Sequence, residues 1–191
     1  VSRIPAHDVL NRLFNRLDTK EFNKCFMKWV NSIATASNGR VVAIDGKTIR
    51  GMASNFGDSK LHIVSAFCVK NGLSLGQVKV NDKSNEITAI PELLDLLAIK
   101  GCIITIDAIG CQTEIAEKIV KQEADYILAV KENQKQLYQD IQDEFRFGKN
   151  IEKHILQDGD HGRIETRVCS VINDFQFMRR HYNLIPCNHL Q

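Results

Sequence analysis

Val41-Val42-Ala43-Ile44-Asp45 and Ile103-Ile104-Thr105-Ile106-Asp107 are two apolar runs that each stop on an aspartate. Apolar runs of this kind predict strands covered on both faces. Asp45 and Asp107 then emerge where the strands reach solvent, which is where open α/β sheets carry their chemistry. If the two strands are parallel neighbours, one sheet edge presents a pair of carboxylates, as a divalent metal requires. The competing reading is two loop aspartates that cap nearby backbone amides.

The segments around these runs extend the pattern. Leu61 to Val69 reads as a strand, Lys70-Asn71-Gly72 as a hairpin turn, and Leu73 to Val80 as the returning strand. Residues 86–98 predict a helix with Ile87, Ile90, Leu94 and Leu97 on one face, capped by Ser84 or Asn85. A helix over 112–122, a strand from Tyr126 to Val130 and a helix over 134–146 follow. Lys149 to Arg163 is polar and reads as a loop, and residues 166–173 alternate like a strand. Ahead of all this, residues 6–36 predict two helices separated at Asp18-Thr19, the first with Val9, Leu10, Leu13, Phe14 and Leu17 on one face. Neither helix is notably basic, so the pair is expected to pack against the main domain rather than to enter DNA.

A three-stranded antiparallel unit that feeds two crossover units makes a mixed sheet, with the Asp45, Asp107 and Lys131 strands parallel. The arrangement is similar to the ribonuclease H-like fold, and by that analogy the strand order is 3-2-1-4-5. The fold class expected is therefore α/β, a ribonuclease H-like mixed sheet with flanking helices and an N-terminal helical pair. Residues 1–38 form the helical lead-in and 39–191 the catalytic domain.

Bulk properties narrow the context. The chain has 191 residues, 43% of them hydrophobic, and a net charge of +2. That suits one α/β domain with a short attachment, without a strongly basic tail. Six cysteines, at 25, 68, 102, 111, 169 and 187, form no CxxC, which reads as buried thiols in a reducing cytoplasm rather than disulfides or zinc. No apolar run approaches the roughly 20 residues of a membrane span, so no membrane partner is expected. The start at Val1 and the end in Pro186-Cys187-Asn188-His189-Leu190-Gln191 read as those of a fragment.

Several further groups carry potential chemistry. Magnesium and manganese prefer carboxylate oxygens, which makes Asp45 and Asp107 the metal-site candidates, with a third acid wanted. Gly46-Lys47-Thr48 resembles the end of a P-loop, but position 41, where that motif needs glycine, is valine. Lys47 and Arg50 remain candidate contacts to a DNA backbone, or a solvated basic turn. Lys131 falls on the same sheet edge as the aspartates. Asn133 or Gln134 could meet a base or cap the next helix. Glu86 either approaches the metal site or favours a helix dipole. His161-Gly162-Arg163-Ile164-Glu165-Thr166-Arg167 offers Glu165 as a third ligand. Alternatively, Arg163, Glu165 and Arg167 form one charged stripe for DNA or an internal ion pair.

At these residues the sequence resembles the bacterial insertion-sequence DDE transposases, in the branch that includes the H-repeat-associated proteins. The matching segments are Val42 to Gly51, Lys83 to Ile87, Thr105-Ile106-Asp107-Ala108 with Gly110-Cys111-Gln112, Lys131 with Asn133-Gln134, and His161-Gly162-Arg163 with Glu165 and Arg167. The resemblance implies a metal-dependent transposase. Asp45 and Asp107 match its first two catalytic acids, with Mg2+ or Mn2+ as cofactor. The partners it implies are element-end and target DNA and further copies of the chain in a synaptic complex, at the nucleoid in the cytoplasm. The family's third acid is a glutamate on a late helix, in a segment reading roughly R-x-H-W-x-I-E-N. Arg180-His181-Tyr182-Asn183 does not reproduce it. The chain is thus expected to be truncated before that acid and unable to complete strand transfer alone. The alternatives are an inactive remnant with residual DNA binding, or a metal-dependent nuclease of the same fold using Glu165.

Overall fold

A computed structural model of the chain describes residues 5–34, 40–49, 61–80, 85–160 and 163–173, apart from the side chains of residues 31, 33, 34, 160 and 163. Two helices come first, α1 (His7–Phe14) and α2 (Thr19–Ala34). Asp18 separates them as expected, its carboxylate accepting from the amides of Lys20 and Glu21 at the start of α2. There follow β1 (Val41–Ile49), β2 (Leu61–Cys68), β3 (Leu73–Lys79), α3 (Glu86–Leu96), β4 (Ile103–Ile106), α4 (Thr113–Lys121), β5 (Asp125–Leu128) and α5 (Lys135–Phe147). A last pair, β6 (Glu152–Asp160) and β7 (Arg163–Val171), completes the described chain.

Strands β1–β5 form one sheet in the order β3-β2-β1-β4-β5, the order of the ribonuclease H-like fold. β1–β2 and β2–β3 are antiparallel, while β1–β4 and β4–β5 are parallel. Parallel neighbours need a crossover, and α3 and α4 supply the two. The apolar faces of these helices lie on one side of the sheet. Leu93, Leu94, Ile115 and Ile119 pack there with Val42, Ile44, Val64 and Ile104, and all eight are buried. The strands show why: β1 and β4 alternate between buried and half-buried residues up to their aspartates. The opposite face is therefore half-covered among the described residues, where both faces were expected to be covered.

Three further expectations need correction. β1 does not end at Asp45 but runs on to Ile49, paired with β2 through Gly46↔Val64, Lys47↔Ile63, Thr48↔His62 and Ile49↔Leu61. The antiparallel ladder satisfies the backbone of this basic stretch, so at least 46–49 are strand rather than loop. Arg50 and Gly51 lie outside the described residues. Second, 152–160 are not a loop, because polar side chains hid a strand that pairs with β7 along its whole length. Third, of the helical pair, α2 packs against the main sheet by burying Met27 and Val30, whereas α1 buries nothing among the described residues. Val9, Leu13 and Phe14 remain exposed on it. Asn85 stands at the N-cap of α3 without a side-chain bond, and Ser84 lies outside the described residues. Cys68, Cys102 and Cys111 are buried free thiols, as read, but Cys25 and Cys169 are exposed. No helix among the described residues is long and apolar enough to cross a membrane.

Candidate active site

Parallel pairing sets Val42 opposite Ile104 and Ile44 opposite Ile106. One step further along both strands come Asp45 and Asp107. They share a phase of the side-chain alternation: both are exposed, while Ile44 and Ile106 before them are buried. Neighbouring strands lie about 4.8 Å apart, so the two carboxylates stand side by side on one face. β4 stops here and β1 does not. Lys47, two residues beyond Asp45, is exposed on the same face.

The two acids are held differently. Asp107 caps the 3-10 turn Ala108–Gly110, its Oδ1 accepting from the Ile109 amide at 3.1 Å. Capping is thus part of what Asp107 does, and it leaves Oδ2 without a protein donor among the described residues. The turn doubles back tightly: a Cβ on Gly110 would overlap the Ile106 side chain. Two amides from the next loop fasten it. Asn133 Nδ2 donates to the Ala108 carbonyl at 2.7 Å and Gln134 Nε2 to the Cys111 carbonyl at 2.8 Å. Asp45 makes no side-chain hydrogen bond or ion pair among the described residues, and its backbone carbonyl accepts weakly from Ser65 Oγ at 3.5 Å.

Behind Asp45, on the core side of β1, lies a polar group that sequence reasoning did not assemble. Thr48 Oγ1 and His62 Nδ1 are 2.7 Å apart, and His62 Nε2 meets the Glu86 carboxylate. Glu86 begins α3, where a carboxylate also suits the helix dipole, as expected. A Cβ on Gly46 would overlap that carboxylate, so the glycine next to Asp45 makes room for Glu86. Alternation sends Asp45 and Gly46 to opposite faces, which separates Glu86 from the acid pair. Only the β1–β2 register unites Thr48 with His62, and no sequence spacing signals it.

Lys131 opens the loop after β5, two residues beyond Ala129, whose amide donates to the Ile106 carbonyl. Glu165 and Arg167 lie on β7, in the two-stranded sheet separate from the main one, and pair with each other at 2.8 Å. Arg163 starts β7 opposite Asp160, and His161 lies outside the described residues. Among the described residues no group of three or more His, Cys, Asp or Glu side chains is disposed around a common metal position, so Glu165 does not gather with Asp45 and Asp107. Cys111 is close in sequence, but burial pushes its thiol up from the ordinary range and keeps it neutral. Burial likewise raises Cys102, with nearby Arg40 opposing. A groove of about 790 Å³ lies elsewhere, between the helical pair and β2–β3, and neither aspartate lines it.

The donor set is two hard carboxylates, both exposed. It fits one divalent cation that keeps water or substrate oxygens in its remaining positions.

The transposase DDE domain model matches residues 36–183. YncI, a transposase-family protein of Escherichia coli, is 46% identical over 178 residues, covering 89% of this chain and 71% of the relative. A longer YncI from a second Escherichia coli strain is 45% identical over 188 residues, 91% of this chain and 47% of the relative. YhhI, an H repeat-associated member from Escherichia coli, is 40% identical over 188 residues, 91% of this chain and 49% of the relative. The chain thus spans about half the length of the longer relatives it matches.

Proposed function

The chain belongs to the transposase DDE domain family, in its H-repeat-associated branch, and from that premise we propose that Asp45 and Asp107 are catalytic acids for cleavage and transfer of DNA strands. The observation that carries this reading is the parallel β1–β4 register, which stands the two acids side by side at the point where β4 ends. Asp45 and Asp107 would hold a magnesium or manganese ion. When bound, the cation stabilises negative charge on the reacting phosphoryl oxygens.

The reaction class is two successive displacements at phosphorus. Water attacks first, breaking a phosphodiester and leaving a 3′ hydroxyl. That hydroxyl then attacks a target phosphodiester, joining to its phosphorus and releasing the target strand's 3′ hydroxyl. Lys47, exposed on the acids' own face, neutralises phosphate as the backbone approaches. Arg50, Lys131, His161, Arg163 and Arg167 are further DNA-contact candidates in the same proposal, in which a homo-oligomeric synaptic complex brings element ends and target together. The division of the chain at residue 38 and a location at the nucleoid belong to the same reading. A nuclease built on Glu165 is less well supported, because that carboxylate is spent on Arg167.

The test is binding of Mn2+ followed by paramagnetic broadening of amide signals. Broadening centred on Asp45 and Asp107, lost in both Asp45→Asn and Asp107→Asn, is the expected result. Broadening that survives both substitutions, or none in the native chain, would overturn the assignment. Duplex DNA binding is expected to weaken with salt, and Lys47→Ala should lower the slope of log K against log salt by about 0.9.

A further inference from the structure

We propose that Asn133 and Gln134 are positioning residues that set the orientation of the Asp107 carboxylate, an inference that rests on the acid-pair reading above. A lone 3-10 turn is a weak element, with poor hydrogen-bond geometry and little to hold it in place. This one starts at Asp107, and the Ile109 amide inside it fixes one carboxylate oxygen. Whatever holds the turn therefore orients the other oxygen, the one that would be left for a cation.

Two side chains from the loop after β5 hold it. Asn133 Nδ2 reaches the Ala108 carbonyl at 2.7 Å, one residue past Asp107. Gln134 Nε2 reaches the Cys111 carbonyl at 2.8 Å, just past the turn. Both partners are carbonyl oxygens, so each amide must present its NH2 and not its oxygen. The two bonds straddle the turn and tie it to the neighbouring loop. Neither amide caps its own helical segment, since Lys131 and Gln134 stand at those caps without side-chain bonds. Reading a base would require each amide to turn both its NH2 and its oxygen to the base edge, as in bidentate recognition of adenine. One N–H of each amide is committed to the chain's own backbone, which fixes the side chain at the turn. Holding a ligand by a hydrogen-bonded outer layer is general practice at metal sites.

The experiment follows exchange of the Ile109 amide by NMR, with Mn2+ broadening as a second readout. Asn133→Asp and Gln134→Glu each replace a donor with an acceptor of the same shape, aimed at a carbonyl. Each is expected to speed Ile109 exchange roughly tenfold, on the scale of one lost hydrogen bond. Exchange in the β1–β4 ladder should stay unchanged, and Mn2+ affinity should fall in both variants. Lys131→Ala, in the same loop, should leave Ile109 exchange as it is. Should Asn133→Asp not fold, Asn133→Ser removes the reach without adding charge. Unchanged Ile109 exchange in both variants would overturn the proposal, as would altered DNA base preference with that exchange intact. If Ile109 responds as expected but native chain shows no Mn2+ broadening, the clamp stands and the metal reading fails.

Discussion

The five-stranded sheet and the β6–β7 ribbon both carry an acid that sequence marked as catalytic, and they hold it in opposite ways. Asp45 and Asp107 follow Ile44 and Ile106, which are 4% and 5% exposed and sit in a core shared with α3 and α4. Glu165 follows Ile164, which is 82% exposed, on a ribbon whose strands pair, among the described residues, only with each other. A carboxylate on the first platform is placed by packing. On the ribbon it is placed by one exposed ion pair with Arg167. Two-stranded ribbons are marginal without a partner, while a packed mixed sheet supplies the fixed geometry that phosphoryl transfer needs.

The largest expected effect breaks the platform itself. Ile104→Ala empties a fully buried core site on β4, one of the two acid-bearing strands, and should cost about 2–5 kcal/mol in urea unfolding. Ile164→Ser on the ribbon should stay within about 0.5 kcal/mol. Equal losses from the two would erase the contrast drawn here.

A middle-sized effect tests the packing behind Asp45. Gly46→Ala must push Glu86 away from His62, and losing that half-buried contact should cost about 1–2 kcal/mol. The double variant Gly46→Ala with Glu86→Ala should fall well short of the sum of the single losses, because the two changes share one contact. Strict additivity would mean that Gly46 and Glu86 do not meet.

The smallest effect belongs to the ribbon. Glu165→Gln removes an ion pair whose side chains are largely exposed, and should change stability by less than about 1 kcal/mol. Mn2+ titration should not distinguish it from the native chain. A clear loss of metal affinity would return Glu165 to the acid group.

Most of the sheet was legible because its signals are local. Apolar runs, a Lys-Asn-Gly turn and two amphipathic helices dictate strand and helix, and chain connectivity then leaves few topologies. The neighbouring acids were legible too, since both end runs of the same length and character. What stayed hidden depends on contacts remote in sequence. The extension of β1 to Ile49 rests on pairing with β2, which lends ladder bonds to residues that look like a basic turn. The strand at 152–160 is mostly polar, and its two large apolar residues, Ile155 and Leu156, are adjacent and exposed, so the alternation that betrays a half-buried strand is missing. Asn133 and Gln134 read as base contacts or helix caps, and no local pattern shows that their donors reach the turn after the neighbouring strand β4.

The β1–β4 register also bears on the order of folding. β2 and β3 meet across a tight turn at Lys70-Asn71-Gly72, a short closure with little entropy to lose. Ile44 and Ile106 meet only after roughly sixty intervening residues are closed into a loop. Closures of that span belong to the slow part of a folding reaction, since their entropy is lost before their contacts reward it. Asp45 and Asp107 therefore come together late, after the hairpin and beside a crossover helix already formed. A nascent or partly folded chain has strands and helices but does not yet hold Asp45 and Asp107 side by side.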